Sequence, residues 1–256
     1  MRSIGTFLTV DNFFARAVLL GLYSLNITEL KAFAYIVSKI KSNDNEDTTY
    51  TFSVKDYCQV CGIDYKSGEN YRYIKETLKN LRGKPFWMSD EKGRQFTVGW
   101  LEKAIIDKRS GKIEVILDKD IQKYVLRLFN NYTQYSLLST LPMKSSYSFR
   151  IYELLKSYAF TNSHTFDIND LKAKLAATNY VNFKDFRKKV IEVDVREINE
   201  YTDIEVVWEP VTKGRKVVQV KFDIKLRDSW GIYTTCQRAV KEIDGQMTIE
   251  NYFFRK

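Results

Sequence analysis

The chain has 256 residues, is 44% apolar and carries a formal charge of +9, enough for one large core or two ordinary ones with a surface suited to a polyanion. No run approaches the roughly 18 apolar residues that span a bilayer. Three cysteines, an odd and sparse count, exclude a disulfide framework.

The start, MRSIGTFLTVDNFFARAVLLGLYSL, is apolar but interrupted by Asp11, Asn12 and Arg16, with no small-residue cleavage site after it. It is not read as a signal peptide, and the cytoplasm is the expected compartment. Residues 26–41 place Ile27, Leu30, Ala34, Val37 and Ile40 on one helical face, with Asn26 and Glu29 spaced as a capping box. A polar loop over 42–49 leads to a short strand at 50–52 and a helix from Ser53 to about Cys61, with Asp56 at its capping position and Gly62 ending it. Cys58 and Cys61 have CxxC spacing. A zinc site needs about four soft ligands, and only Cys236 and His164 remain. Core cysteines are the preferred reading over metal ligands, and no metal or cofactor is expected.

A helix over 69–82 turns Tyr71, Ile74, Leu78 and Leu81 inward and Arg72, Lys75 and Lys79 outward, and Gly83 and Pro85 stop it. Three β-like runs follow, PFWMSD, QFTVGWLEKAIIDK and KIEVILD, then a helix from Asp118 to about Phe129. The connector 130–143 contains the best domain boundary, Leu141-Pro142. Beyond it the order recurs: a helix at 144–160, the strand HTF, a helix at 168–176 capped by Asp167, a long helix at 182–199, and a hairpin turning at Thr212-Lys213-Gly214.

A short pattern marks this duplication. Residues 51–56 read TFSVKD and residues 165–170 read TFDIND, 114 positions apart. Each precedes a helix opening Asn-aromatic-basic, at Asn70 and Asn182, 112 positions apart. Helix, short strand, helix, helix, hairpin is the order of a winged helix, whose third helix enters a major groove while the hairpin, or wing, touches the backbone or minor groove. The expected fold class is therefore α+β: tandem duplicated winged-helix DNA-binding domains with a short C-terminal tail. The expected divisions are 1–135, a domain for backbone contact and dimerisation; 141–228, the main DNA-reading domain; and 229–256, the tail.

Candidate DNA-binding residues follow from that frame. Lys184, Arg187, Lys188 and Lys189 cluster at the N-terminal end of the last helix, where recognition helices meet bases and phosphates. The bland reading is a solvated basic face. Lys213, Arg215 and Lys216 flank Gly214 at the second wing, where a soluble hairpin tip is the equal alternative. In the first domain Asn70, Arg72 and Lys75, with Lys66 and Lys79 nearby, occupy the equivalent helix and its approach. They are spread rather than bunched, so this domain either shares DNA contact or pairs with a partner subunit.

Enzyme signatures are mostly missing: there is no GxxxxGK[ST] loop and no histidine pair for a rolling-circle nickase. No catalytic residue is assigned, although scattered carboxylates leave a metal-dependent nuclease open. The final residues include QMTIENYF, in which Gln246, Ile249, Tyr252 and Phe253 have the spacing of a sliding-clamp-binding peptide. The alternative is a tail whose Tyr252 and Phe253 pack on their own domain.

LPMKSSYSFRIYELLKSY, FKDFRKKVIEVDVREINEYTDIEV and the GRKVVQVKF hairpin resemble the initiator replication proteins of iteron-type theta plasmids, over roughly residues 20–228. The resemblance implies two winged-helix domains, binding to repeated double-stranded origin DNA, opening of nearby duplex, recruitment of host replication proteins, and a monomer–dimer equilibrium. It carries the family's DNA-contacting helix and wing onto Lys184, Arg187, Lys188 and Lys213 to Lys216. A winged-helix transcriptional repressor and an origin-nicking nuclease are the rival functions.

Overall fold

The computed structural model describes residues 25–41, 43–61, 63, 65–66, 68–89, 92–127 and 135–243. Its chain divides into two compact units between Leu137 and Leu138.

In the N-terminal unit, α1 (Ile27–Val37) starts at the expected capping box, with Asn26 accepting from the Glu29 amide at 3.0 Å and Glu29 accepting from the Asn26 amide at 2.9 Å. The Glu29 carboxylate is buried and also holds Lys84 Nζ at 2.7 and 2.8 Å, so the cap ties α1 to the chain that leaves α3. Strand β1 (Thr49–Ser53) runs into α2 (Val54–Cys61), and Ser53 Oγ accepts from the Asp56 amide at 2.9 Å. Next come α3 (Asn70–Gly83), a hairpin of β2 (Phe86–Ser89) and β3 (Gln95–Val98), then β4 (Leu101–Asp107), β5 (Lys112–Leu117) and α4 (Lys119–Arg127). The main sheet is antiparallel in the order β1-β5-β4, and β2–β3 is separate.

The run 95–108 is therefore two strands in two sheets rather than one. Trp100 causes the break: it is fully buried between Phe33 and Phe86, with ring centroids at 4.7 and 4.4 Å, and its Nε1 donates to Lys84 O at 2.9 Å. Trp100 and Leu101 are consecutive and both buried, which the alternation of a single half-buried strand does not allow.

The C-terminal unit repeats the plan. Ser145 caps α5 (Ser146–Ser157) through the amides of Tyr147 and Ser148. Then follow β6 (Ser163–Asp167), α6 (Ile168–Lys174), a long helix α7 over 183–201, β7 (Ile204–Lys213) and β8 (Lys216–Leu226). The sheet order is β6-β8-β7, matching β1-β5-β4. The duplicated hexapeptide does the same work in both units. Its Phe is buried (Phe52, Phe166), its third residue caps the next helix (Ser53, Asp167), and its fourth enters the core (Val54, Ile168).

Most of the stretch expected as a tail forms a helix, α8 (Ser229–Ile243). Cys236, Ala239 and Val240 of α8 pack with Leu138 and Tyr201, so the stretch expected as a tail carries part of the core. Cys58, Cys61 and Cys236 are all buried free thiols, and no His/Cys/Asp/Glu cluster fit for a metal occurs among the described residues. No described helix is long and apolar enough to cross a membrane.

Candidate nucleic-acid interface

Helix α7 begins where Asn182 accepts from the Asp185 amide at 2.8 Å, the N-cap that lets the helix start immediately beside its basic cluster. It is α-helical over Phe183–Phe186, π-helical over Arg187–Ile191 and α-helical again over Glu192–Tyr201. The Glu192 amide reaches back five residues to Arg187 O. An α-helix advances about 100° per residue, so one extra residue in a turn rotates everything before it by that amount. The core stripe Ile191, Val195, Ile198 would otherwise continue to Arg187. The wide turn passes it to Phe186 instead, which is fully buried. Lys184, Lys188 and Lys189 are thereby exposed and Arg187 half-exposed.

Arg187 Nε lies 3.2 Å from Glu192 Oε1. The N–H is not aimed at that oxygen and has no hydrogen-bond acceptor, so the contact is one of charge alone. The helix is fastened to α5 from behind. Glu197 accepts from the amides of Lys144 and Ser145, and Asp194, wholly buried, accepts from Ser148 Oγ at 2.7 Å. Burial pushes the Asp194 carboxyl up to about 7, against the pull of the serine hydrogen bonds.

At the wing between β7 and β8, Lys213 pairs directly across from Lys216, with Gly214 at φ +64 and Arg215 between them, and all are exposed. Opposed like charges weaken a two-stranded ladder. A polyanion laid across the tip removes that repulsion.

In the N-terminal unit the three expected residues part company. Asn70 is buried, its Nδ2 donating to Tyr65 O and its Oδ1 accepting from the Tyr71 amide, both at 2.6 Å. It shapes the entry to α3 and is not offered outward, which corrects the expectation for it. Arg72 is exposed, ion-paired with Glu69 and laid over the Tyr73 ring at 4.8 Å. Lys75 is exposed and lines a groove of about 1110 Å³ between α3 and β4, together with Lys79, Arg82 and Lys103 over Leu78, Leu101 and Ile106. Arg82 and Lys103 escape a reading of the sequence because only the fold sets β4 beside α3. A second basic wing, Lys108 and Arg109 in the turn closed by Gly111 at φ +65, was not among the expected residues, although KRSGK, like the KGRK of the other hairpin, sets Lys and Arg around a turn glycine. Gln246, Ile249, Tyr252 and Phe253 lie outside the described residues.

Comparison with known proteins agrees with this architecture. Residues 15–156 match the family described as initiator replication protein, WH1, and residues 167–224 match the initiator Rep protein WH2. The fold is similar to that of the Pi initiator protein in complex with iteron DNA, with a TM-score of 0.69 at 19% identity, covering 89% of this chain and 100% of that one. It is also similar to domains 2 and 3 of RctB, with a TM-score of 0.53 at 14% identity over 79% of this chain and 83% of that one.

Proposed function

The chain belongs to the initiator replication protein family, with a WH1 and a WH2 winged-helix domain, and on that premise we propose that it starts plasmid replication by binding repeated origin DNA and recruiting host replication proteins. The observation that carries the reading is the presence, in one domain, of exposed cations both at the start of α7 and at the β7–β8 wing. A helix start can read bases from the major groove while a wing holds the flanking phosphates. The Pi protein, which shares the fold, was solved on iteron DNA, and that supports the same ligand class here.

In this reading residues 141–228 supply most of the sequence reading, and residues 1–135 supply backbone contacts and subunit pairing, in a monomer–dimer equilibrium. Basic groove and wing residues of the first unit, Lys75, Lys79, Arg82, Lys103, Lys108 and Arg109, suit the backbone role. The protein acts by binding, in the cytoplasm, with no cofactor. The QMTIENYF segment is proposed as a contact for a host sliding clamp.

Footprinting on the DNA that flanks the gene tests this directly. Protection of tandem repeats spaced by about two helical turns, with maintenance of a plasmid carrying them when the protein is supplied in trans, is the expected result. Protection and repression without maintenance would make the protein a repressor. Metal-dependent nicking of supercoiled origin DNA would make it a nuclease.

A further inference from the structure

Two buried cations hold the loop that leads into α7. Lys172 in α6 is 7% exposed, and its Nζ donates to Tyr180 O at 2.6 Å and Val181 O at 3.2 Å while lying 5.4 Å from the Phe186 ring centroid. Arg150 in α5 is 2% exposed, and its Nη1 donates to Leu175 O at 2.7 Å. Burying a charge is costly unless its hydrogen bonds are well made. Here two such groups donate to carbonyls of one short surface loop.

Further bonds complete the frame. The Ala177 amide donates to Lys172 O at 2.7 Å and the Tyr180 amide to Ala177 O at 3.2 Å. Tyr180 packs edge-on to Tyr147 with centroids 6.2 Å apart. At the end of this braced loop stands Val181, 91% exposed and immediately before the Asn182 cap. A single exposed valine is ordinary. Val181 differs in its place: a buried lysine holds its carbonyl, and it immediately precedes the basic start of α7, the end of a recognition helix that meets base edges in a major groove.

In that groove only thymine presents a methyl group, and small apolar side chains recognise it by contact. We propose that Val181 is a specificity residue that packs against the 5-methyl group of one thymine in the target repeat, with Lys172 as the residue that positions it. This rests on the DNA-binding reading above.

The test uses the full chain and the duplex protected in the footprint, with each thymine replaced in turn by deoxyuridine, which removes the methyl and leaves pairing intact. The expected result is one thymine whose replacement weakens binding about fourfold, the value of one buried methyl. Val181→Ala should bind the unmodified duplex more weakly by a similar factor and be indifferent to the same replacement. Lys172→Met, which keeps the stem and removes the donor, should also lose that sensitivity while keeping its helical circular dichroism. Loss of that fold in the variant would leave Val181→Ala to decide. Uniform indifference of the wild type to deoxyuridine, or equal sensitivity in Val181→Ala, overturns the proposal while leaving origin binding intact. No binding of the wild type to the repeat would overturn both readings together.

Discussion

Arg187 and Glu192 are five residues apart, yet their side chains meet, Nε to Oε1 at 3.2 Å, because the turn between them is π-helical. In an α-helix partners stand three or four residues apart. The pair therefore exists only through the wide turn, and it sets a carboxylate against the one cation of the cluster that is not fully outward. Glu192→Gln should remove that counter-charge. Binding to scrambled duplex is expected to tighten about threefold to tenfold, as for gain of one unopposed phosphate contact, and the ratio of specific to non-specific affinity to fall. Fluorescence anisotropy on repeat and scrambled duplexes checks both, and an unchanged ratio would remove Glu192 from the interface.

Deleting Lys189 should be tolerated. It leaves Phe186 four residues before Ile191, the spacing of an unbroken α-helix, so both keep their core positions. Deleting Val193, in the regular part of the helix, rotates one half against the other by about 100° and should prevent folding. Thermal melts followed by circular dichroism separate the two. Equal loss of structure in both would show that the wide turn is not a spare residue.

Asp194 makes stability depend on pH in a direction opposite to most carboxylates. In the unfolded chain its proton leaves near the ordinary value of 3.8, whereas in the folded chain it is held to about 7. Between these values the folded state binds more protons, so this group's contribution falls as pH rises from about 4 to 7. Asp194→Asn keeps the acceptor for Ser148 and abolishes the slope. The stability of the variant relative to wild type should rise by about 2 kcal/mol between pH 5 and pH 8. Urea titrations at the two pH values measure it, and a constant difference would mean the carboxyl titrates normally.

The two units should leave different marks on salt dependence. If about six phosphates are neutralised, log K falls with log salt at a slope near −5. The triple change Lys75→Ala, Lys79→Ala, Lys103→Ala in the α3–β4 groove should reduce that slope by about 2 to 3 units, uniformly across DNA sequences. The double change Arg187→Ala, Lys188→Ala should instead narrow the gap between repeat and scrambled DNA. Identical behaviour of the two variants would erase the division of labour between the units.

Much of this fold was open to reading because its local rules are strict. Asn26 with Glu29, Ser53 with Asp56, and Asp167 all cap helices as their spacing requires. The repeated Thr-Phe pattern lands on the same strand of both sheets. Besides the break at Trp100 and the placing of Arg82 and Lys103, three further features were not legible, each for a physical reason. The wide turn in α7 hides because Phe183, Phe186 and Val190 fit one α-helical stripe, and Ile191, Val195 and Ile198 fit another. Only tertiary packing decides which is used at each end. Asn70 looks like a surface polar residue, and its burial depends on a carbonyl five residues back that sequence cannot bring near it. α8 escapes because Trp230 and Tyr233 stack on its exposed side, at 72% and 44% exposure, and blur the apolar face that Cys236, Ala239 and Val240 form.

The three cysteines have a practical consequence. Burial pushes the Cys61 thiol up to about 12 and that of Cys236 to about 11, and Cys58 is wholly enclosed. At neutral pH the Cys61 and Cys236 sulfurs are almost entirely protonated, and Cys58 is shielded by burial, so the native thiols react poorly with maleimides. A cysteine introduced at the tip of the second wing, in place of Arg215, would be the one readily labelled site. A fluorophore there could follow the hairpin onto and off a duplex in real time, without any of the native thiols having to be replaced.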